Sequence, residues 1–181
     1  GYLSIFGKEP KIVNLKLTHE DAESELSPFI FIDTDGKITL LNHRPEMGQG
    51  TFEAIPMIIA EELEVDVANI NIIPSPADRS KYGDQMVVGS RSIHSNYDLM
   101  RKVGATAKEM LIAAAAAKWN IPADACYAEN AMLINRNTGA KLSYGDLVAY
   151  AGKLKPPENP TLKNPRDFKI IGQSFPRKDI T

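Results

Sequence analysis

Ile38-Thr39-Leu40-Leu41-Asn42-His43-Arg44-Pro45-Glu46-Met47-Gly48-Gln49-Gly50-Thr51 decides the fold. An apolar strand pattern ends in a charged stretch, passes through Gly-x-Gly, and opens at Thr51 into a helical pattern. There Phe52, Ile55, Ile59 and Leu63 recur at steps of three and four, as one helix face requires. Glycine lets backbone approach a ligand closely, and a helix N-terminus offers unpaired N–H groups and a positive dipole end. Pro56 lies inside the helical run, so the pattern predicts a helix that starts late or bends there. Glu61, Glu62 and Glu64 read as solvated carboxylates on its far end.

Upstream, Phe29-Ile30-Phe31-Ile32 and Ile38-Thr39-Leu40-Leu41 flank Asp33-Thr34-Asp35-Gly36-Lys37, a hairpin signal in which Gly36 supplies positive φ. Asp33 and Asp35 have calcium-loop spacing, but no further ligands follow and turn chemistry explains both. Downstream, Ile70-Asn71-Ile72-Ile73 reads as a strand ended by Pro74 and Pro76, and Ser75–Val88 as a loop. Gly89-Ser90-Arg91-Ser92 then repeats the glycine-to-helix arrangement. The helix after it is the longest predicted, over residues 92–119, roughly 40 Å at ~1.5 Å per residue. Its stripe of Met100, Gly104, Ala107, Leu111 and Ala114 reads as core, and Gly104 with Ala113–Ala117 leaves a smooth surface for close packing.

Past Asn120-Ile121-Pro122, the segments 127–135 and 140–142 frame Arg136-Asn137-Thr138-Gly139 as a second hairpin. Ser143 and Asp146 have the spacing of a capping box for a short helix ending near Lys153. From Lys155, five prolines between Pro156 and Pro176 indicate an extended, loosely structured tail. The organisation expected is an N-terminal arm over 1–28, a core over 29–154, and a Pro/Lys-rich tail over 155–181. The order β-β-α-β-α-β-β-α predicts an α+β fold, a mixed or antiparallel sheet with helices packed on one face.

The totals remove several function classes. Lys+Arg of 21 against Asp+Glu of 23 gives a net charge of −2 over 181 residues, which provides no footprint for nucleic acid or anionic membrane. No apolar run approaches the ~20 residues of a membrane span. Cys126 is the only cysteine, so an internal disulfide, a cysteine-held zinc site and an iron–sulfur cluster are excluded; it reads as a buried residue at a strand start. His19, His43 and His94 are scattered, and no metal site built from protein ligands is expected. The start at Gly1 reads as a processed or excised piece.

The candidate binding residues are Gly48, Gln49, Gly50, Gly89, Ser90, Arg91 and Ser92. Gln49 carries an amide donor and acceptor between two glycines, the serines add hydroxyls, and Arg91 adds a guanidinium suited to phosphate. A single charge at a helix end is worth only ~0.3–1 kcal/mol, so several groups must converge to hold a cofactor. On this reading alone a generic phosphate or nucleotide binder, stabilised thermally by nucleotide, is also open.

The same residues resemble a known family. Pro45-Glu46-Met47-Gly48-Gln49-Gly50, then Ile55-Pro56-Met57 and Ala60-Glu61-Glu62-Leu63, is similar to the molybdopterin-binding subunit of xanthine dehydrogenase and aldehyde oxidase relatives, most of all to the large (beta) chains of the isoquinoline 1-oxidoreductase type. The likeness continues through Pro76-Ala77-Asp78, Gly89–Ser92, Gly104-Ala105-Thr106-Ala107 and Leu142–Leu147 to Phe168-Lys169-Ile170-Ile171-Gly172. The resemblance implies an oxidoreductase fragment: part of the large subunit of a molybdenum hydroxylase acting on N-heteroaromatic compounds or aldehydes, with oxygen from water. It implies a molybdopterin dinucleotide whose dithiolene holds the molybdenum, with both glycine loops contacting the pterin and its phosphates. Its partners would be the remainder of the large subunit, a small 2Fe-2S iron–sulfur subunit and a small-molecule substrate.

Two departures stand out. Relatives read Gln-x-Thr-Gly-Gly-Ser where this chain has Gln85-Met86-Val87-Val88-Gly89-Ser90, which stiffens the loop and removes a donor. The family's catalytic glutamate lies far downstream in a much longer subunit, so no catalytic residue is expected in this chain. The alternative is a cofactor-free scaffold or assembly domain of the same fold, which Val87 and Val88 favour. Twin-arginine export signals in isoquinoline-type relatives suggest the periplasm; no such signal is visible here, and a cytoplasmic location stays open.

Overall fold

The computed structural model describes residues 25–176; the arm expected over 1–28 lies almost wholly outside them. The described residues begin with three strands, β1 (Glu25–Ser27), β2 (Ile30–Ile32) and β3 (Ile38–Asn42), with β2 and β3 antiparallel across the expected hairpin. Gly36 has φ 81°, and the Asp33 carboxylate accepts from the Lys37 N–H at 2.8 Å, so Asp33 is a turn residue. Helix α1 (Thr51–Leu63) then crosses over to β4 (Ile70–Pro74), which pairs with β3 in parallel. A parallel pair cannot be joined by a tight turn, and an amphipathic crossover helix is the usual solution. The resulting mixed sheet has the order β1-β2-β3-β4.

The loop after β4 contains a one-turn helix, α2 (Arg79–Tyr82), N-capped by Asp78. The long helix expected over 92–119 is interrupted: α3 (Arg91–His94) is one turn, and α4 (Tyr97–Trp119) carries the rest. The break falls at Ser95-Asn96, where the Asn96 side chain bonds to His43 across the fold and takes the Ser92 carbonyl, four residues earlier, that a continuous helix would give to the Asn96 backbone N–H. Strands β5 (Cys126–Glu129), β6 (Met132–Asn135) and β7 (Lys141–Ser143) form a second, antiparallel sheet, and α5 (Val148–Ala151) follows it. The run expected as one strand over 127–135 is therefore two, joined by Asn130 (φ 48°) and Ala131 (φ 59°). Both central residues at positive φ are the hallmark of a type I′ hairpin turn, here without glycine. Ser143 and Asp146 form the expected reciprocal bonds, the Ser143 N–H on Asp146 at 2.8 Å and the Asp146 N–H on the Ser143 hydroxyl at 3.1 Å, but these close the turn after β7; the helix starts only at Val148, with Leu147 at its N-cap, so Ser143 does not cap it.

Helix α1 is the centre of the molecule. Ile55, Ile59 and Leu63 are fully buried, as is Met100 on the facing α4. The two helices meet closely at Gly104, where a Cβ would stand 2.5 Å from the Ile59 carbonyl oxygen and 2.9 Å from the Glu62 Cβ. Pro56 neither delays nor ends α1, which begins at Thr51. Tyr144, fully buried, donates its hydroxyl to the Leu63 carbonyl at 2.7 Å and so satisfies an orphan acceptor of the last turn. Burial pushes its phenol pKa far up, which keeps it a donor.

Glu61 and Glu62 correct the reading of this helix as solvated at its end: both are fully buried. The extended chain beyond Lys155 covers them, and they hold it there. Glu61 accepts from the Lys163 ammonium at 2.7 Å and from the backbone N–H groups of Lys169, Ile170 and Ile171 at 2.7–3.0 Å. Glu62 takes the Arg101 guanidinium at 2.6 Å and the Lys163 N–H at 2.8 Å. Burial opposes the Glu61 charge, but the Lys163 ammonium and the three amides outweigh it and hold the carboxyl below its usual value. Arg101 also stacks 5.1 Å from the Phe168 ring. Over its described residues the tail is therefore pinned at Lys163 and Lys169–Ile171 rather than loosely structured, because the buried Glu61 and Glu62 need these partners.

Candidate functional site

Parallel pairing of β3 with β4 explains where the two glycine loops go. Asn42 and Pro74 are register partners at the carboxyl ends of the two strands, so the chain leaves both strands on the same side of the sheet. Ligands of open α/β sheets bind outside the carboxyl ends of parallel strands. One hollow of about 450 Å³ lies between the loops. Gln49 and Thr51 face it from the first loop, and Gly89, Ser90 and Ser92 from the second. Met47, Val87, Val88 and Ile93 complete the walls as apolar surface. Gly48 and Gly50 flank Gln49 without lining the hollow, and Arg91 is exposed outside it.

Buried polar struts fix the second loop over the first. The Arg44 guanidinium, at the end of β3, donates to the Met86 carbonyl and pairs with Asp84 at 3.4 Å. His43 Nε2 lies 3.2 Å from Asn96 Oδ1, while Asn96 Nδ2 donates to the Ser92 carbonyl at 2.9 Å. Because the Asn96 NH₂ is committed to Ser92, His43 must carry its proton on Nε2. Burial, the largest influence, lowers the His43 pKa; the Asn96 bond opposes this and Arg44 reinforces it, so the ring is neutral near pH 7. Among the described residues, His43 Nδ1 and Arg44 Nε are buried side-chain atoms without a partner. Gln85 braces the same loop through Ser75 at 2.9 Å and the Pro76 carbonyl at 2.9 Å.

The first loop is organised around a carboxylate. Glu46 Oε1 accepts from the N–H groups of Gly48 at 2.6 Å and Gly50 at 3.0 Å, and Glu46 Oε2 from that of Phe52 at 2.8 Å. Gly48 (φ 97°) and Gly50 (φ 85°) supply the left-handed backbone that turns these amides inward. Gln49 closes the loop on itself: its Nε2 donates to the Pro45 carbonyl at 2.7 Å and Thr51 Oγ1 at 3.0 Å, and its Oε1 accepts from the Met47 N–H at 2.6 Å. Glu46 thus occupies the inward-turned amides of this loop. The polar residues that line the hollow itself are Gln49, Thr51, Ser90 and Ser92, which suit the hydrogen-bonding groups of a polar organic cofactor.

Sequence reasoning located both loops but did not single out Glu46, Arg44 or His43. Glu46 lies outside the capping-box spacing, and Arg44 and His43 act through partners some forty to fifty residues away. Among the described residues, no acid or base lines the hollow, and no cluster of His, Cys, Asp or Glu could hold a metal. Cys126 is buried at the start of β5, where desolvation raises its thiol pKa. No helix among the described residues is long and apolar enough to cross a membrane.

Residues 7–178 match the family model of the molybdopterin cofactor-binding domain. The chain is 26% identical, over 97% of its length, to the beta subunit of isoquinoline 1-oxidoreductase from Brevundimonas diminuta, of which it covers 28%. It is 28% identical, over 87% of its length, to a nicotinate dehydrogenase subunit from Pseudomonas putida, of which it covers 13%. Among solved structures, quinoline 2-oxidoreductase from Pseudomonas putida 86 superposes with a TM-score of 0.52 at 17% identity, covering 66% of this chain and 15% of that one. This last likeness shows the fold alone. The chain thus spans under a third of the length of these relatives.

Proposed function

Since the chain belongs to the molybdopterin cofactor-binding domain family, we propose that it forms one wall of the cofactor cleft in the large subunit of a molybdenum hydroxylase acting on N-heteroaromatic compounds or aldehydes. The observation that carries this reading is the hollow shared by Gln49 and Ser90 at the carboxyl ends of β3 and β4. When bound, the pterin cofactor supplies the molybdenum at which oxygen from water enters the substrate. The chain's own residues bind and orient. Thr51, Ser90 and Ser92 present hydroxyls, Met47, Val87 and Val88 exclude water from one side, and the Arg44 and Asn96 struts keep the loops at fixed separation.

The proton-transfer group of such a reaction has to come from outside the hollow, because no acid or base lines it among the described residues. Glu61 and Glu62, buried and tied to the tail, are structural. The remainder of the large subunit is therefore part of this proposal, as is a small 2Fe-2S subunit to carry electrons away. The test is to express the chain together with that remainder and measure molybdenum by elemental analysis. Stoichiometric metal supports the reading. A folded, metal-free product supports the cofactor-free scaffold instead, which Val87 and Val88 on the hollow wall favour.

A further inference from the structure

The second wall of the hollow, Gly89 to Ile93, is a short segment between two interruptions of the chain. It begins at Gly89 and Ser90, both left-handed (φ 58° and 57°), and gives way to the helix break at Ser95-Asn96. Asn96 ties it to the sheet: Nδ2 donates to the Ser92 carbonyl at 2.9 Å, and Oδ1 accepts from His43 Nε2 at 3.2 Å. His43, Asn96 and Ser92 are all buried, so water does not compete for these bonds. His43 Nδ1 has no partner among the described residues. A proton added there would create a buried N–H with no acceptor, so only the neutral ring suits the site.

The charged groups that bear on the ring act in the same direction. Arg44, next in the chain, repels a second positive charge, while Asp84, from the loop after α2, attracts it less and is itself paired with Arg44. Of the other packed neighbours, Phe29 presents its ring at 5.3 Å and Asn96 a neutral amide, and neither supplies a charge.

We infer that His43 is a positioning residue for the hollow: as a neutral ring it latches Asn96 and holds the Gly89-to-Ile93 wall against the end of β3, and on protonation the latch opens and the wall is released. His43 does this whether or not the hollow takes a cofactor; if the cofactor reading above holds, the hollow gives up its ligand in acid. Burial, and after it Arg44, favours the neutral ring, so release falls below the ordinary histidine value of 6.5.

The experiment is an NMR titration of the 181-residue chain from about pH 8 to 4. It is run in a His94→Gln background, because His94 lies on α3 itself. The His43 ring nitrogens, identified by their loss in His43→Gln, report tautomer and protonation. The Ser90 and Ile93 amides report the wall, and Gly139 in the β6–β7 turn reports the rest of the fold. The expected result is an Nε2–H ring that gains its proton below pH 6.5, with Ser90 and Ile93 moving at the ring's own midpoint while Gly139 stays in place. In His43→Gln, whose side-chain amide can donate to Asn96 but does not titrate, the wall signals keep their neutral-pH positions throughout. In His43→Phe they take the acid positions already near neutral pH; should that variant not fold, the other two titrations decide. An Nδ1–H ring, a ring still neutral at the acid limit, or wall signals that do not follow the ring overturn the inference. So does a Gly139 signal that moves at the same midpoint, or a His43→Gln wall that moves as the unsubstituted one does.

Discussion

Replacing Glu61 with glutamine removes the charge that pins the tail to α1. In the wild type this fully buried carboxylate neutralises the Lys163 ammonium, whose side chain is itself only 8% exposed, and receives three backbone amides. Removing one partner of a buried pair costs about 3–5 kcal/mol, because the remaining charge is left uncompensated. Glu64, 2.8 Å from the same ammonium, keeps Glu61→Gln near the lower end of that range. The glutamine NH₂ also points a donor at amide donors. A loss of roughly 3 kcal/mol lowers the melting temperature by about 6–12 °C in a domain of this size. Urea unfolding gives the energy, and timed trypsin digestion reads release of the tail through faster cleavage at Lys163 and Lys169. A variant that loses under about 0.5 kcal/mol, the scale of an ordinary surface substitution, and is cut no faster than wild type would refute the clamp.

Gly104→Ala forces a Cβ to within 2.5 Å of the Ile59 carbonyl oxygen, so α1 must shift. The gain of about 1 kcal/mol in helix propensity is outweighed by overpacking of about 1–3 kcal/mol, and thermal melts should show a net loss. Tyr144→Phe deletes the 2.7 Å bond to the Leu63 carbonyl and leaves a buried acceptor unpaired; urea titration should report about 1–3 kcal/mol lost. Ala131→Gly relieves a left-handed alanine at φ 59° and should stabilise by about 1 kcal/mol in the same assay. The tail clamp also sets a pH dependence. The depressed Glu61 pKa gives stability that is complete above the ordinary carboxylate value of 4.5 and is lost as pH falls through the lower folded value. The raised Lys163 pKa gives stability complete below 10.5 and lost as pH climbs through the higher folded value. Circular dichroism from about pH 3 to 11 should show both falls, added to the gradual loss below pH 6.5 that the lowered His43 pKa imposes; a Glu61→Gln variant that keeps the wild-type acid fall below pH 4.5 would contradict the assignment.

Much of this molecule was legible where local chemistry acts over a few residues. Gly36, Gly48, Gly50 and Gly89 mark turns because their backbones take positive φ, and Ser143 with Asp146 announces the turn that precedes the last helix. The β3-α1-β4 unit follows from strand and helix periodicities, and its parallel pairing brings the two loops together. What stayed hidden depends on distant partners. Glu61 and Glu62 look solvent-facing until Lys163, Lys169 and Arg101 arrive from far along the chain. The break in the long helix falls where Asn96 reaches back to His43, fifty-three residues away. The Asn130-Ala131 turn carries no glycine; it is held by the Ala131 N–H on the Glu64 carbonyl at 3.0 Å. Glu46 escaped notice because its bonds span up to six residues, beyond the usual capping motifs.

Blocking the hollow while sparing the fold tests the central claim most directly. Val88 is 52% exposed on the hollow wall, and Leu99, 51% exposed on α4, lies away from it. Full large subunits carrying Val88→Trp or Leu99→Trp are to be compared for molybdenum content and melting temperature. The account predicts at least a tenfold loss of metal in Val88→Trp, wild-type metal in Leu99→Trp, and similar melting temperatures in both. Full molybdenum occupancy in Val88→Trp would show that the cofactor does not enter between these loops.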